Sequence, residues 1–217
     1  MKLVPIIRKT VALLIGFSVI YLGVCFAIKA HVGLGAYDAL CLTISNVIPS
    51  KFFTVGTVAI ILNSSFVFGQ ILLERKNFRP LELMQFFFIF FGGHLLDFFV
   101  YTLFADLVVS YYPWRLLLAV VAFAISALGV MIVMESRFVR VPLEGFCTLL
   151  AHKFGKKMGS IRQRGDALFF VLVLLLSFIF SDDLTIREGS VVCLLIFGPL
   201  LDLFKKPVQR LMRFLKV

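Results

Sequence analysis

The chain has 217 residues, of which 61% are hydrophobic, 26 are phenylalanine and only 16% are charged; its mean hydropathy is +1.03. A soluble domain is about half apolar and about a quarter charged, so too little polar surface remains to cover a globule in water, which excludes an ordinary soluble enzyme, a disordered chain and a disulfide scaffold. Lys and Arg number 22 against 12 Asp and Glu, a net charge of +10; no soluble basic segment exists to carry nucleic-acid binding, and in a membrane protein such cations mark the cytoplasmic side instead.

In chain order, the first apolar run is 10–28. It is long for a signal peptide, and Lys29-Ala30-His31 is a poor cleavage context, so it reads as a retained helix. The segment 33–48 is apolar but short of the roughly 20 residues a crossing needs; Gly33 and Gly35 give it the chemistry of a re-entry. Runs 53–73 and 81–104 can span, as can 116–134. A second short segment, 141–154, opens on Pro142, a helix-starting residue. Run 167–180 needs residues 161–166 to reach full length, and 189–204 closes the set. The expectation is an all-α polytopic membrane helix bundle, a single domain over 1–217, with six transmembrane helices plus two short re-entrant or interfacial helices.

Cation placement supports six crossings. With the N-terminus inside, 18 of the 22 Lys and Arg fall on inner segments and only Lys29, Lys51, Arg115 and Arg187 fall outside. If the two short segments were full spans, the split would weaken to 15 against 7. The positive-inside rule therefore predicts both termini in the cytoplasm.

The chain also repeats itself. Leu22-Gly23-Val24 returns as Leu128-Gly129-Val130, 106 positions later, and Asp38 falls on Glu144 at the same offset. With a one-residue gap, Phe91-Gly92-Gly93-His94-Leu95-Leu96-Asp97 lies over Ile196-Phe197-Gly198-Pro199-Leu200-Leu201-Asp202. Each half, 10–104 and 116–204, holds three crossings and one short segment. Three is odd, so the second half enters from the opposite side and the halves form a 3+3 inverted repeat, an arrangement that recurs in transporters with the site at the repeat interface.

These motifs, together with Gly33-Leu34-Gly35-Ala36-Tyr37-Asp38, Gln70-Ile71-Leu72-Leu73-Glu74-Arg75, Pro142-Leu143-Glu144-Gly145 and Gly159-Ser160-Ile161-Arg162, resemble the YczE/YitT-like bacterial integral membrane proteins, nearer the YczE side. Arg137-Phe138-Val139-Arg140 departs from that pattern, standing where many relatives keep glycines. The resemblance implies architecture and the bacterial cytoplasmic membrane; the family has no settled activity.

Ionisable groups in hydrocarbon cost about 2.5–3.5 kcal/mol on insertion scales and are the default functional candidates. The candidates for a substrate or ion pathway are Asp38, His94, Asp97, Glu144 and Asp202. The repeat pairs them as an outer couple, Asp38 with Asp97, and an inner couple, Glu144 with Asp202; His94, three residues from Asp97, is placed to relay a proton. The plainer reading is that Asp38 and Glu144 cap short helices, that Asp202 pairs with Lys205 or Lys206, and that Asp166 pairs with Arg162 four residues before it. Asn63, Ser64, Ser65 and Gln70 read as helix-to-helix glue, and Gly16, Gly23, Gly129 and Gly198 as close-packing positions. Cys25, Cys41, Cys147 and Cys193 read as buried free thiols, with no metal-ligand spacing. No catalytic or phosphate-binding motif occurs, so no enzyme activity, metal or cofactor is expected. The expected function is a small secondary transporter or permease whose partners are membrane lipid and an unidentified small molecule or ion. The alternative is a substrate-binding or accessory subunit of a larger membrane complex, and either is compatible with a homo-oligomer.

Overall fold

A computed structural model describes residues 3–48, 50, 52–136, 138–180 and 185–215. The cations Lys2, Lys51, Arg137 and Lys216, counted above, lie outside them. The described residues form eight α-helices and no strand: α1 Leu3–Ala30, α2 Ala36–Val47, α3 Val55–Glu74, α4 Met84–Phe98, α5 Tyr112–Ser136, α6 Pro142–Lys153, α7 Met158–Phe180 and α8 Glu188–Leu215. The short segments α2 and α6 have 12 residues each, about 18 Å of helix at 1.5 Å per residue, well under a bilayer core of about 30 Å.

Five stretches are long and apolar enough to cross a membrane: Ile6–Ala30, Val55–Asn77, Pro80–Leu103, Tyr112–Ser136 and Met158–Phe180. The run 167–180 gains its length from residues 158–166, which α7 includes. The remaining expected crossing, 189–204, lies in α8, which differs in kind. Pro199 and Pro207 stand inside that helix, and its second half is amphipathic. There Val208 and Met212 are buried against Ala12, Met131 and Ile132, while Lys205, Lys206, Arg210 and Arg213 are exposed.

The helices sort into two compact units, each drawing on both halves of the sequence. One comprises residues 1–34, 98–139 and 187–217; the other comprises 35–97 and 140–186. The first unit is built on α1 against α5. A Cβ on Gly16 would lie 2.7 Å from the Val133 side chain, one on Gly23 would collide with Ser126, and one on Gly129 would lie 2.6 Å from the Ile20 nitrogen. Absent side chains at these positions let the two backbones touch, as small residues do in membrane helix pairs. As residue numbers rise along α1 their partners on α5 fall, so these repeat-equivalent helices run antiparallel. That is the relation an inverted repeat imposes on them. Gly198 is a correction to the close-packing expectation: nothing lies within 4 Å of where its Cβ would stand.

The link from α1 to α2 is stitched to the start of α8. Gly33 adopts φ 116, and a Cβ there would lie 2.7 Å from both the nitrogen and the hydroxyl of Ser190, so only glycine fits. The Leu34 nitrogen donates to Ser190 Oγ at 3.0 Å, the Gly189 nitrogen donates to the Val32 oxygen at 2.6 Å, and Arg187 donates to the His31 carbonyl at 3.2 Å. Partial burial, with Arg115, Lys29 and Arg187 nearby, holds the His31 imidazole below its ordinary range.

In the second unit, α2 packs on both α3 and α7, and α6 packs on the same two helices. Exchanging the halves of the chain, α2 for α6 and α3 for α7, leaves this contact scheme unchanged. α6 ends on a Schellman turn: Gly155 takes φ 62, and the Lys156 nitrogen donates to the Ala151 oxygen at 2.9 Å.

Candidate functional site

Three groups of polar residues in the second unit contain charged or amide side chains. The first surrounds Arg162. α2 starts after an extended Gly35 that offers no side-chain cap, with Asp38 in its first turn; α6 starts on Pro142, with Glu144 in its first turn. Both acids occupy the end of a helix that favours negative charge. On α7, Arg162 and Asp166 form an i,i+4 ion pair at 3.4 Å, the geometry their spacing predicts. Asp38, Glu144 and Asp166 all lie within electrostatic reach of the Arg162 guanidinium. The grouping carries three carboxylates against one cation. Arg162 Nη1 is buried and donates no hydrogen bond among the described residues. Asp38 is half-buried. Asp166 holds the guanidinium, and among the described residues no hydrogen bond or salt bridge engages the carboxylates of Asp38 and Glu144. Cys41 and Cys147, each three residues after its acid, are buried free thiols.

One aromatic ring from each of four helices lies alongside. Tyr37 of α2 sits 6.2 Å from Phe66 of α3 and 6.1 Å from Phe169 of α7. Phe66 in turn sits 5.7 Å from Phe146 of α6 and 6.2 Å from Phe169. All four rings are half-buried.

The second group is Asp97. Its carboxylate accepts from Thr54 Oγ1 at 2.5 Å and from the Gly56 nitrogen at 2.8 Å, while Thr54 Oγ1 accepts from the Thr57 nitrogen at 3.1 Å. Asp97 thus completes the N-terminal cap of α3 from across the α3–α4 hairpin. The glycines at 56 and 93 allow this approach, since a Cβ on either would strike the other helix.

Of the third group the sequence reading had only Gln70, as helix-to-helix glue. Gln70 and Gln85, both fully buried, exchange amide hydrogen bonds at 3.1 and 3.2 Å. Gln70 also donates to the Pro142 carbonyl at 2.8 Å, and Gln85 donates to Glu82 at 3.0 Å. Arg140 closes the network with salt bridges to Glu82 at 3.0 Å and Glu74 at 3.1 Å. Burial alone would lower the Arg140 guanidinium, but the hydrogen bonds and charges of Glu82 and Glu74 outweigh it and raise it. The network ties the start of α6 to α3 and to the beginning of α4. A glutamine in each of two apolar runs was the available sign; its partner, Arg140, reads from sequence as one orientation cation among many.

Of the expected site residues, the structure brings together Asp38 and Glu144, around Arg162, rather than in separate outer and inner couples. Asp97 is engaged by Thr54 and Gly56. His94 is exposed on α4, its ring 4.4 Å from that of Phe90. Asp202 belongs to the other unit and is exposed on α8.

Fold and site together define a helical membrane protein with paired half-length helices whose first-turn acids lie within electrostatic reach of one half-buried arginine. The chain belongs to a family of unknown function, DUF6198, whose model matches residues 7–206. No curated protein and no solved structure matches it.

Proposed function

We propose that the protein is a small secondary transporter of the bacterial cytoplasmic membrane, with both termini in the cytoplasm and the Arg162 cluster as its substrate or ion station. The observation that carries this reading is the pair of unengaged carboxylates, Asp38 and Glu144, contributed by two half-length helices that pack on the same two long ones. A charge left unpaired in hydrocarbon is costly, and a proton or a cation removes that cost. With Arg162 held by Asp166, a proton or cation taken up at either free acid gives two exchangeable states, as alternating access between repeats requires. Asp97, held by the α3 cap, and the exposed His94 and Asp202 have no part in this scheme. The motif resemblance to the YczE/YitT-like proteins belongs to the same reading, as do the absence of enzyme activity and the expected partners, membrane lipid and a small molecule or ion, in a form compatible with a homo-oligomer.

The test is flux in reconstituted vesicles, measured as cation-driven proton movement with an internal pH dye. Asp38→Asn and Glu144→Gln should each abolish it while leaving the purified protein folded. Tight ligand binding without flux would favour the substrate-capturing subunit instead, and flux unchanged in both variants would remove the site.

A further inference from the structure

We propose that the last third of α8 is a docking surface for anionic phospholipid, with Lys206, Arg210 and Arg213 on the phosphate groups and Leu203, Leu211 and Phe214 against the acyl chains. The leaflet is the cytoplasmic one, a placement that rests on the topology proposed above; the surface itself does not depend on the transport reading.

α8 is longer than a bilayer core. Its 28 residues make about 42 Å of helix at 1.5 Å per residue, against about 30 Å of hydrocarbon. A helix that starts at the outer boundary with Glu188 therefore leaves the core near Val208, and the residues beyond stand at headgroup level. The chemistry changes at the same place: no cation occurs over 188–204, whereas Lys205, Lys206, Arg210 and Arg213 follow.

The packing of Val208 and Met212 on Ala12, Met131 and Ile132 fixes how the helix is turned. At about 100° per residue, Lys206, Arg210 and Arg213 fall within about 60° of one another, on the side opposite Val208. Leu203, Leu211 and Phe214 fill the adjoining sector of about 80°, and all three are exposed, Phe214 to 84%. Cations bordering an apolar sector are the pattern of a helix at a bilayer surface, where long Lys and Arg stems carry the charge to the phosphates.

Among the described residues, these cations form no salt bridge, unlike Arg140 and Arg162 of the second unit. Asp202 has the spacing to pair with Lys205 or Lys206 and does not. Glu135 of α5 accepts from Gln209 at 2.9 Å instead. The inward bias of cations asks only that they lie inside; it does not gather them on one face beside an apolar one. A free phosphate would match the cations and not the apolar sector, whereas a phospholipid carries both complements in one molecule.

Binding is measured as thermal protection of the purified full-length protein in detergent. The probes are phosphatidylglycerol, phosphatidylcholine with the same acyl chains, and glycerol phosphate. Phosphatidylglycerol should protect at lower concentration than phosphatidylcholine, and glycerol phosphate should not protect. A cation near an anionic lipid surface is worth about a 5-fold gain in attraction. Lys206→Gln, Arg210→Gln and Arg213→Gln should each raise the phosphatidylglycerol needed for half protection by about that factor, and the three together should remove the preference. Lys153→Gln, Lys156→Gln and Lys157→Gln together, an equal charge change at exposed positions of the second unit, should keep it. The single variants carry the test if the α8 triple variant does not fold. Equal protection by the two lipids, protection by glycerol phosphate, an unchanged preference in the α8 variants, or an equal loss in the second-unit variant would each overturn the proposal. A lipid preference in a protein without flux would leave this inference standing and remove the transport reading; flux without a lipid preference would do the reverse. Detergent removes sidedness, so a failed topology would move the surface to the other leaflet without altering these outcomes.

Discussion

Asp97 and Asp38 show how little a residue's identity says without its neighbours. Both are acids in apolar runs, and the repeat makes them equal candidates. Asp97 accepts from Thr54 and Gly56 and so does for α3 what an N-cap residue does, from a different helix. Asp38 already sits in the first turn of α2, but its carboxylate makes no hydrogen bond there. The two should therefore fail differently. Asp97→Ala removes the acceptor of two donors and should cost about 1–3 kcal/mol of stability, read as a lowered thermal midpoint, with flux per folded molecule unchanged. A stable Asp97→Ala protein without flux would place Asp97 in the transport path. The sequence could show that an acid lay in the membrane, but not which donors would be aimed at it, because Thr54 and Asp97 are 43 positions apart.

Among the elements, the short helices were legible and the polar lacing between helices was not. Length alone separates α2 and α6 from spanning helices, and Gly35 and Pro142 mark where they begin. α8 was legible only in part: its apolar half reads as a crossing, whereas its two prolines and the alternation of buried Val208 and Met212 with exposed cations show their effect only when the helix is seen packed on α1 and α5. The network of Gln70, Gln85, Glu82, Arg140 and Glu74 was legible only at Gln70, because it joins three segments, 70–74, 82–85 and 140–142, through side chains individually common at helix ends. Glycines divide in the same way. Gly129→Leu should disrupt the α1–α5 pair, since a Cβ alone would lie 2.6 Å from the Ile20 backbone and 2.8 Å from the Gly16 oxygen; the expected readout is loss of the monodisperse purified protein. Gly198→Leu, in open space, should purify normally. The reverse outcome would mean that α1 and α5 do not pack as described.

For the whole molecule, orientation is the property the sequence addresses most directly, through its 18 inner cations against 4 outer ones. The native cysteines are all buried, so introduced ones report cleanly. Ser110→Cys, in the exposed link before α5, should react with a membrane-impermeant thiol reagent in intact cells. Its inner counterpart belongs at Lys156 rather than Gly155, whose φ of 62 a cysteine would strain; Lys156→Cys should react only after permeabilisation. Equal labelling of both from outside would end the six-crossing topology. The α1–α5 crossing has a consequence of another kind. Because the two helices are repeat equivalents packed antiparallel through matching small residues, the contact is its own image when the halves are exchanged. A chain of half this length, inserted once in each direction, would make that same contact with itself. In the single chain both senses are present together, because α1 and α5 run antiparallel within it.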